Sequence, residues 1–74
     1  MSILGNVKVK DMERVLLKEG FRIQKMRGSH ATFRHPDDRV TTLAYHPGNI
    51  SKPIVSKMLK QAGISPVEFQ KLRK

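Results

Sequence analysis

The succession of periodicities along this 74-residue chain predicts an α+β fold: helix, three-stranded antiparallel sheet, helix, then a short C-terminal helix. Three observations carry that prediction. Apolar residues at helical spacing fill one stretch near the N-terminus and another after Ser51, and each is closed by a glycine. Between them the pattern changes to the two-residue alternation of strands. Turn-forming clusters at Arg27-Gly28-Ser29 and Pro36-Asp37-Asp38 divide that middle region into three. A chain this short buries only about 60% of its unfolded surface. It therefore reads as one domain over residues 1–74, with a core at about 9–63.

The first helix is expected at about 9–19, where Val9, Met12, Val15 and Leu16 share a face and Gly20 is the stop. Phe21 and Ile23 then alternate with Arg22 and Gln24, which predicts a short half-buried strand ending near Met26. A second strand, about 30–35, runs from the Gly28-Ser29 turn to Pro36. Val40-Thr41-Thr42 is β-branched and begins a third strand that runs to Tyr45. Its inward face is left open by the pattern, because Leu43 and Tyr45 oppose Val40 and Ala44. His46-Pro47-Gly48-Asn49 breaks it. Ser51 is expected to cap the second helix, with Pro53 in the first turn and Ile54, Val55, Met58, Leu59 and Ala62 as one apolar stripe. Ser65-Pro66-Val67-Glu68 is a capping box with proline at the first helical position, which predicts a short helix at about 66–72. Two helices over one face of the sheet leave the other face open.

Charge narrows the class of partner. Fifteen Lys and Arg against six Asp and Glu give a net charge of +9. Residues 20–36 contain no acid and carry Arg22, Lys25, Arg27 and Arg34. After Asp38 the only side-chain carboxylate is Glu68. Such a field favours a phosphate backbone or an acidic protein partner, and is equally compatible with a generally basic surface. The chain has no cysteine, which excludes a disulfide framework and thiolate zinc sites. Its three histidines lack a metal-ligand spacing, so neither a metal site nor a cofactor is expected. No apolar run approaches the roughly 20 residues that cross a bilayer, and no signal-peptide pattern opens the chain. A cytoplasmic location without membrane contact is the expectation.

The segment Gly28-Ser29-His30-Ala31-Thr32-Phe33-Arg34 carries the chemistry. Alternation puts Ala31 and Phe33 on one face and His30, Thr32 and Arg34 on the other, so with Phe33 in the core His30 faces solvent. An exposed imidazole can give or take a proton at neutral pH. RNA supplies its own nucleophile in the 2′-hydroxyl, which needs only deprotonation and positioning. An imidazole as general acid or base typically contributes about 10²- to 10⁴-fold, and Lys25, Arg27 or Arg34 can neutralise charge that builds on the phosphate. Arg34, on the face of His30, is the best-placed of these by alternation. His46 or a water is left as the second proton-transfer partner. From pattern alone, a solvated polar residue is the plainer reading of His30. Gly28 reads as the positive-φ residue of a hairpin turn and Ser29 as its hydrogen-bonding partner. His35 reads as a strand-end residue, and Lys52, Lys57 and Lys60 as a solvated helix face. Phe21, Phe33 and Met58 belong in the core, which leaves Tyr45 as the aromatic able to stack on a base.

Taken together, Glu19-Gly20-Phe21, Lys25 to His30, Arg39-Val40-Thr41-Thr42, His46-Pro47-Gly48 and Leu59-Lys60-Gln61-Ala62-Gly63-Ile64-Ser65 resemble the HicA toxin family over roughly residues 9–70. Gly-Ser-His alone is a weak signal; the ordered set is far more specific. The resemblance implies a double-stranded-RNA-binding-domain-like fold, a ribosome-independent mRNA endonuclease and a cognate HicB-type antitoxin that blocks it. The family's catalytic histidine falls on His30, which reverses the order of the two readings of that residue. The chain departs from the family at Pro53-Ile54, where Gly-Thr or Gly-Leu is frequent, and at Leu43-Ala44-Tyr45, where Val-Pro-Val is usual. These departures bear on groove shape and antitoxin fit more than on chemistry. Two other readings share the fold. One is a non-catalytic RNA-binding module that grips phosphates and 2′-hydroxyls with the same face. The other is a catalytically decayed chain that titrates an antitoxin.

Overall fold

The computed structural model describes residues 7–46 and 48–73. Pro47, expected in the strand-breaking loop, and residues 1–6 and 74 of the expected 1–74 domain lie outside the described residues. The elements follow in the order β1 (Val7–Lys8), α1 (Val9–Glu19), β2 (Arg22–Arg27), β3 (His30–Arg34), β4 (Val40–Ala44), β5 (Asn49–Ile50), α2 (Lys52–Ala62) and α3 (Pro66–Arg73). β2, β3 and β4 form an antiparallel meander. This is the expected α+β arrangement with the double-stranded-RNA-binding-domain-like layout. The two-residue strands β1 and β5 also pair, with Val7 opposite Ile50, and tie the start of α1 to the start of α2. Pairs so short leave almost no alternation to read in a sequence.

Both long helices follow from their sequences. The Lys8 N–H donates to the Asp11 carboxylate (3.2 Å) at the start of α1, and Met12, Val15 and Leu16 are buried. α2 buries Val55, Met58, Leu59 and Ala62 against β4. The inner sheet face contributes Ala31, Phe33, Thr41 and Leu43, each at most 1% exposed. Thr41 is the one polar member, and its hydroxyl donates to Gln61 Oε1 at 2.9 Å, so its burial leaves no unmet polar group. That placement settles the face of β4: Thr41 and Leu43 point inward, Val40 and Ala44 outward. The capping box of α3 forms as expected. Glu68 N–H donates to the Ser65 hydroxyl (3.1 Å), and Ser65 N–H donates to the Glu68 carboxylate (3.3 Å). α3 packs on α1 with Phe69 fully buried.

Three expectations need correction. β2 is exposed along its whole length rather than half-buried, because α1 and α2 pack against β4 at the other side of the sheet and leave β2 overhanging. Ile23 and Met26, on the inward side of β2, remain 47% and 54% exposed. A register shift between Ile23 and Lys25 interrupts the alternation there. Ile54 is not part of the buried stripe of α2 but is 53% exposed. Ser51 occupies the N-cap position of α2 without a side-chain capping bond.

Candidate nucleic-acid interface

The hairpin between β2 and β3 positions the candidate residues. Arg27 and His30 face each other across it, with Gly28 and Ser29 as the two turn residues. Gly28 has φ +59° while Ser29 has no positive φ, the sign pattern of a turn that matches the twist of its strands and wants glycine first. An added Cβ on Gly28 would meet nothing within 4 Å, so the demand for glycine is one of backbone conformation rather than space. The Ser29 carbonyl accepts from Tyr45 N–H at 2.7 Å, which extends the β3–β4 pairing beyond Ala44 and ties the turn to the end of β4. Ser29 therefore acts here through its backbone.

Register then spreads the outward face. Lys25 pairs with Thr32, Thr32 with Thr42, and His30 with Ala44. Lys25, Arg27, His30 and Thr32 thus share one face, and neither Lys25 nor Arg27 has a side-chain partner among the described residues. Arg34 shares the face but lies four residues from His30, about 13 Å along the strand. Its guanidinium donates to Asp38 Oδ1 at 2.8 Å and to Gln24 Oε1 at 3.2 Å. Arg22, opposite Arg34, donates to the carbonyls of Leu17 and Phe21. Among the described residues, Arg27 rather than Arg34 is the cation opposite His30 that has no side-chain partner. Alternation reports a face but not a distance or an existing ion pair.

His46 comes from the segment after β4, yet it lines the same cleft as His30. This cleft of about 240 Å³ lies between the ends of β3 and β4 and the start of α2. Thr42, Ala44, Asn49, Ile50, Ser51, Ile54 and Met58 also line it. Sequence reasoning missed these neighbours. Thr42 and Ala44 follow from strand register alone, whereas Asn49, Ser51 and Ile54 come near His30 only through the packing of α2 on β4. Among the described residues no group of three or more His, Asp or Glu side chains is placed to hold a metal ion. No helix among them is long and apolar enough to cross a membrane.

Tyr45 is not available for base stacking. It is half-buried against the core, and its hydroxyl donates to Glu13 Oε2 at 2.6 Å. Burial first, and then this bond to a carboxylate, raise the phenol's pKa above its ordinary value of 10. A raised folded-state pKa means that the stabilisation is complete below the unfolded value and is lost only as pH climbs through the folded one, so the bond holds throughout the neutral range. Tyr45→Phe is expected to lower stability by about 1 kcal/mol in urea unfolding at pH 7, because it strips Glu13 of its partner. His35 is likewise structural. Its ring lies edge-on to Phe21, with centroids 5.2 Å apart, and its Nε2 bonds the Glu19 carbonyl at 3.2 Å. Lys52, Lys57 and Lys60 are exposed, and Phe21, Phe33 and Met58 are buried, all as expected.

No curated protein matches the chain. The model of one family, described as the HicA toxin of bacterial toxin-antitoxin, matches residues 9–64. That span runs from the first residue of α1, through the whole meander and the His30 turn, to Ile64 just past α2. It leaves only β1 and α3 outside, and it contains both histidines of the cleft and the free cations beside them. The family model covers most of the chain and the three-stranded sheet agrees with it, and the chain belongs to the HicA toxin family.

Proposed function

We propose that this protein is an mRNA endoribonuclease, the toxin of a cytoplasmic toxin–antitoxin pair, and that it cleaves by transesterification with His30 as the general acid or base. The observation that carries the reading is His30 itself: an exposed imidazole directly across the hairpin from the Arg27 guanidinium, which is unpaired among the described residues, in a chain of this family. His30 takes the proton of the 2′-hydroxyl, the 2′-oxygen attacks phosphorus, and the bond to the 5′-oxygen breaks. His46, which lines the same cleft, or a water there returns a proton to the departing oxygen. Arg27 and Lys25 offset charge on the non-bridging oxygens as the phosphorane forms. Gly28 and Ser29 hold the turn, while Thr32 and, further along, Arg34 border the path of the RNA backbone.

Because the nucleophile belongs to the substrate and the proton carriers to the protein, cleavage of an end-labelled mRNA is expected to persist in excess chelator. The products are a 2′,3′-cyclic phosphate and a 5′-hydroxyl. Loss of cleavage with chelator, or 5′-phosphate ends, would overturn the mechanism. Intact RNA with retained binding would instead favour the non-catalytic module.

The same face suits the antitoxin. A HicB-type protein that blocks it is expected to present carboxylates to Lys25 and Arg27, so the complex should weaken as salt rises from 50 to 500 mM. An affinity unmoved by salt in a titration series would point to an apolar interface.

A further inference from the structure

The cleft beside His30 has a form that phosphate chemistry does not require. Its floor is apolar, made by Ile50 and Met58, and Ile54 stands exposed at its wall although Val55 and Met58 on α2 are buried. Its rim is polar. Asn49 carries an amide with no side-chain partner among the described residues, and the Ser51 hydroxyl leaves its capping bond unmade. At about 240 Å³ it is smaller than the 300–1,000 Å³ usual for drug-sized ligands. One planar ring system suits it better than a whole cofactor. His30, Thr42 and Ala44 belong both to the cleft and to the outward sheet face, so a chain laid along that face passes the cleft's mouth.

We infer that this cleft is a nucleobase subsite, which takes one unstacked base of the RNA next to the phosphate held at His30 and Arg27. The inference rests on the ribonuclease reading and extends it from backbone contact to base recognition. Single-stranded RNA is read by splaying out a base, covering its face with side chains and hydrogen-bonding its edge. Ile54 and Met58 supply the cover. The Asn49 amide supplies one acceptor and two donors, and the Ser51 hydroxyl supplies either. An apolar side chain of a protein partner would have no use for that rim. The charge around the cleft also favours a polyanion, because Arg27 and Lys25 stand on the same sheet face as His30.

The test uses the full chain and a non-cleavable 2′-O-methyl RNA hexamer, together with a series in which each nucleotide in turn is abasic. Binding is measured by fluorescence anisotropy for the wild type, Asn49→Ala and Ile54→Ser. Asn49 and Ile54 are both exposed, so these variants are expected to keep the fold, as checked by circular dichroism. One abasic position is expected to weaken wild-type binding about tenfold, and that penalty is expected to vanish in Ile54→Ser. A flat series with otherwise normal binding would overturn the base subsite and leave the ribonuclease reading intact. A flat series in which Ile54→Ser instead weakens the antitoxin complex would give the cleft to the protein partner and overturn the subsite too. Absence of any RNA binding by folded protein would remove both readings together.

Discussion

His30→Ala is expected to cut cleavage of an end-labelled mRNA by about 10²- to 10⁴-fold, the span of a lost proton-transfer group, while RNA affinity changes less than threefold. The two readouts separate because of where the residue stands. His30 is exposed at the end of β3 and contributes nothing to the core, so its truncation opens no cavity and strands no buried partner. Its neighbour behaves in the opposite way. Arg27→Ala removes a phosphate contact, so it should weaken binding across all sequences and lower the slope of log affinity against log salt by about 1. If His30→Ala cleaves as well as the wild type, His30 is not the proton carrier and His46, in the same cleft, takes its place. If His30→Ala loses binding in proportion to cleavage, the histidine positions RNA rather than transferring protons. His46→Ala supplies the second half of the test. A smaller loss there is the expected mark of an acid that water can replace.

How much of this was legible in the sequence depends on the range of the interaction. α1 and α3 are local events, set by periodicity and by the Gly20 and Ser65-Glu68 signals, and they lie where the pattern puts them. The outward placement of His30 is also local, because a strand alternates and Phe33 is too apolar to turn out. The exposure of β2 escapes the sequence because alternation reports which side a residue faces and not whether a helix lies over that side. Ile23 and Met26 face inward yet stay exposed, since both long helices pack on the far strand. Alternation favours Arg34 over Arg27 for a similar reason, as no periodicity reveals that Asp38 has already claimed the Arg34 guanidinium. The cleft lies furthest from the sequence. His30 and Ile54 are 24 positions apart and line one cleft because α2 packs against β4.

Arg39 had no marked role in the sequence beyond its place in the family motif, yet its loss is expected to be the costliest of the polar substitutions. Its side chain, only 28% exposed, ties the β3–β4 loop to the ends of both long helices. The guanidinium donates to Glu19 Oε2 at 3.2 Å at the end of α1, to the Ala62 carbonyl at the end of α2, and to Asp37 Oδ2 at 2.8 Å in the β3–β4 loop. It also lies over the Phe21 ring, 5.3 Å from its centroid. Carbonyls at helix C-termini carry partial negative charge and lack partners within the helix, so one cation between two such ends offsets both. The approach is close enough to constrain its neighbour. A Cβ at Gly63, already at φ +68°, would sit 3.2 Å from the Arg39 guanidinium. Arg39→Ala leaves Glu19 and the Ala62 carbonyl half-buried without that donor, and should cost about 2 kcal/mol once partial exposure is discounted. For a domain of this size that is a fall in Tm of roughly 10 °C. Arg39→Lys should recover less than half, since an ammonium cannot reproduce the planar fork. Acid supplies an internal control. The Arg39 side chain, acting chiefly through its hydrogen bond, holds the Asp37 carboxyl below its ordinary pKa. That arm is therefore complete above about pH 4 and is lost as pH falls through the depressed value. The stability gap between wild type and Arg39→Ala, measured by urea unfolding, should accordingly narrow between pH 5 and pH 2. A gap of constant width would assign the effect to the Ala62 carbonyl at the end of α2, which does not titrate, and no gap at all would mean that the three elements hold together without their shared cation.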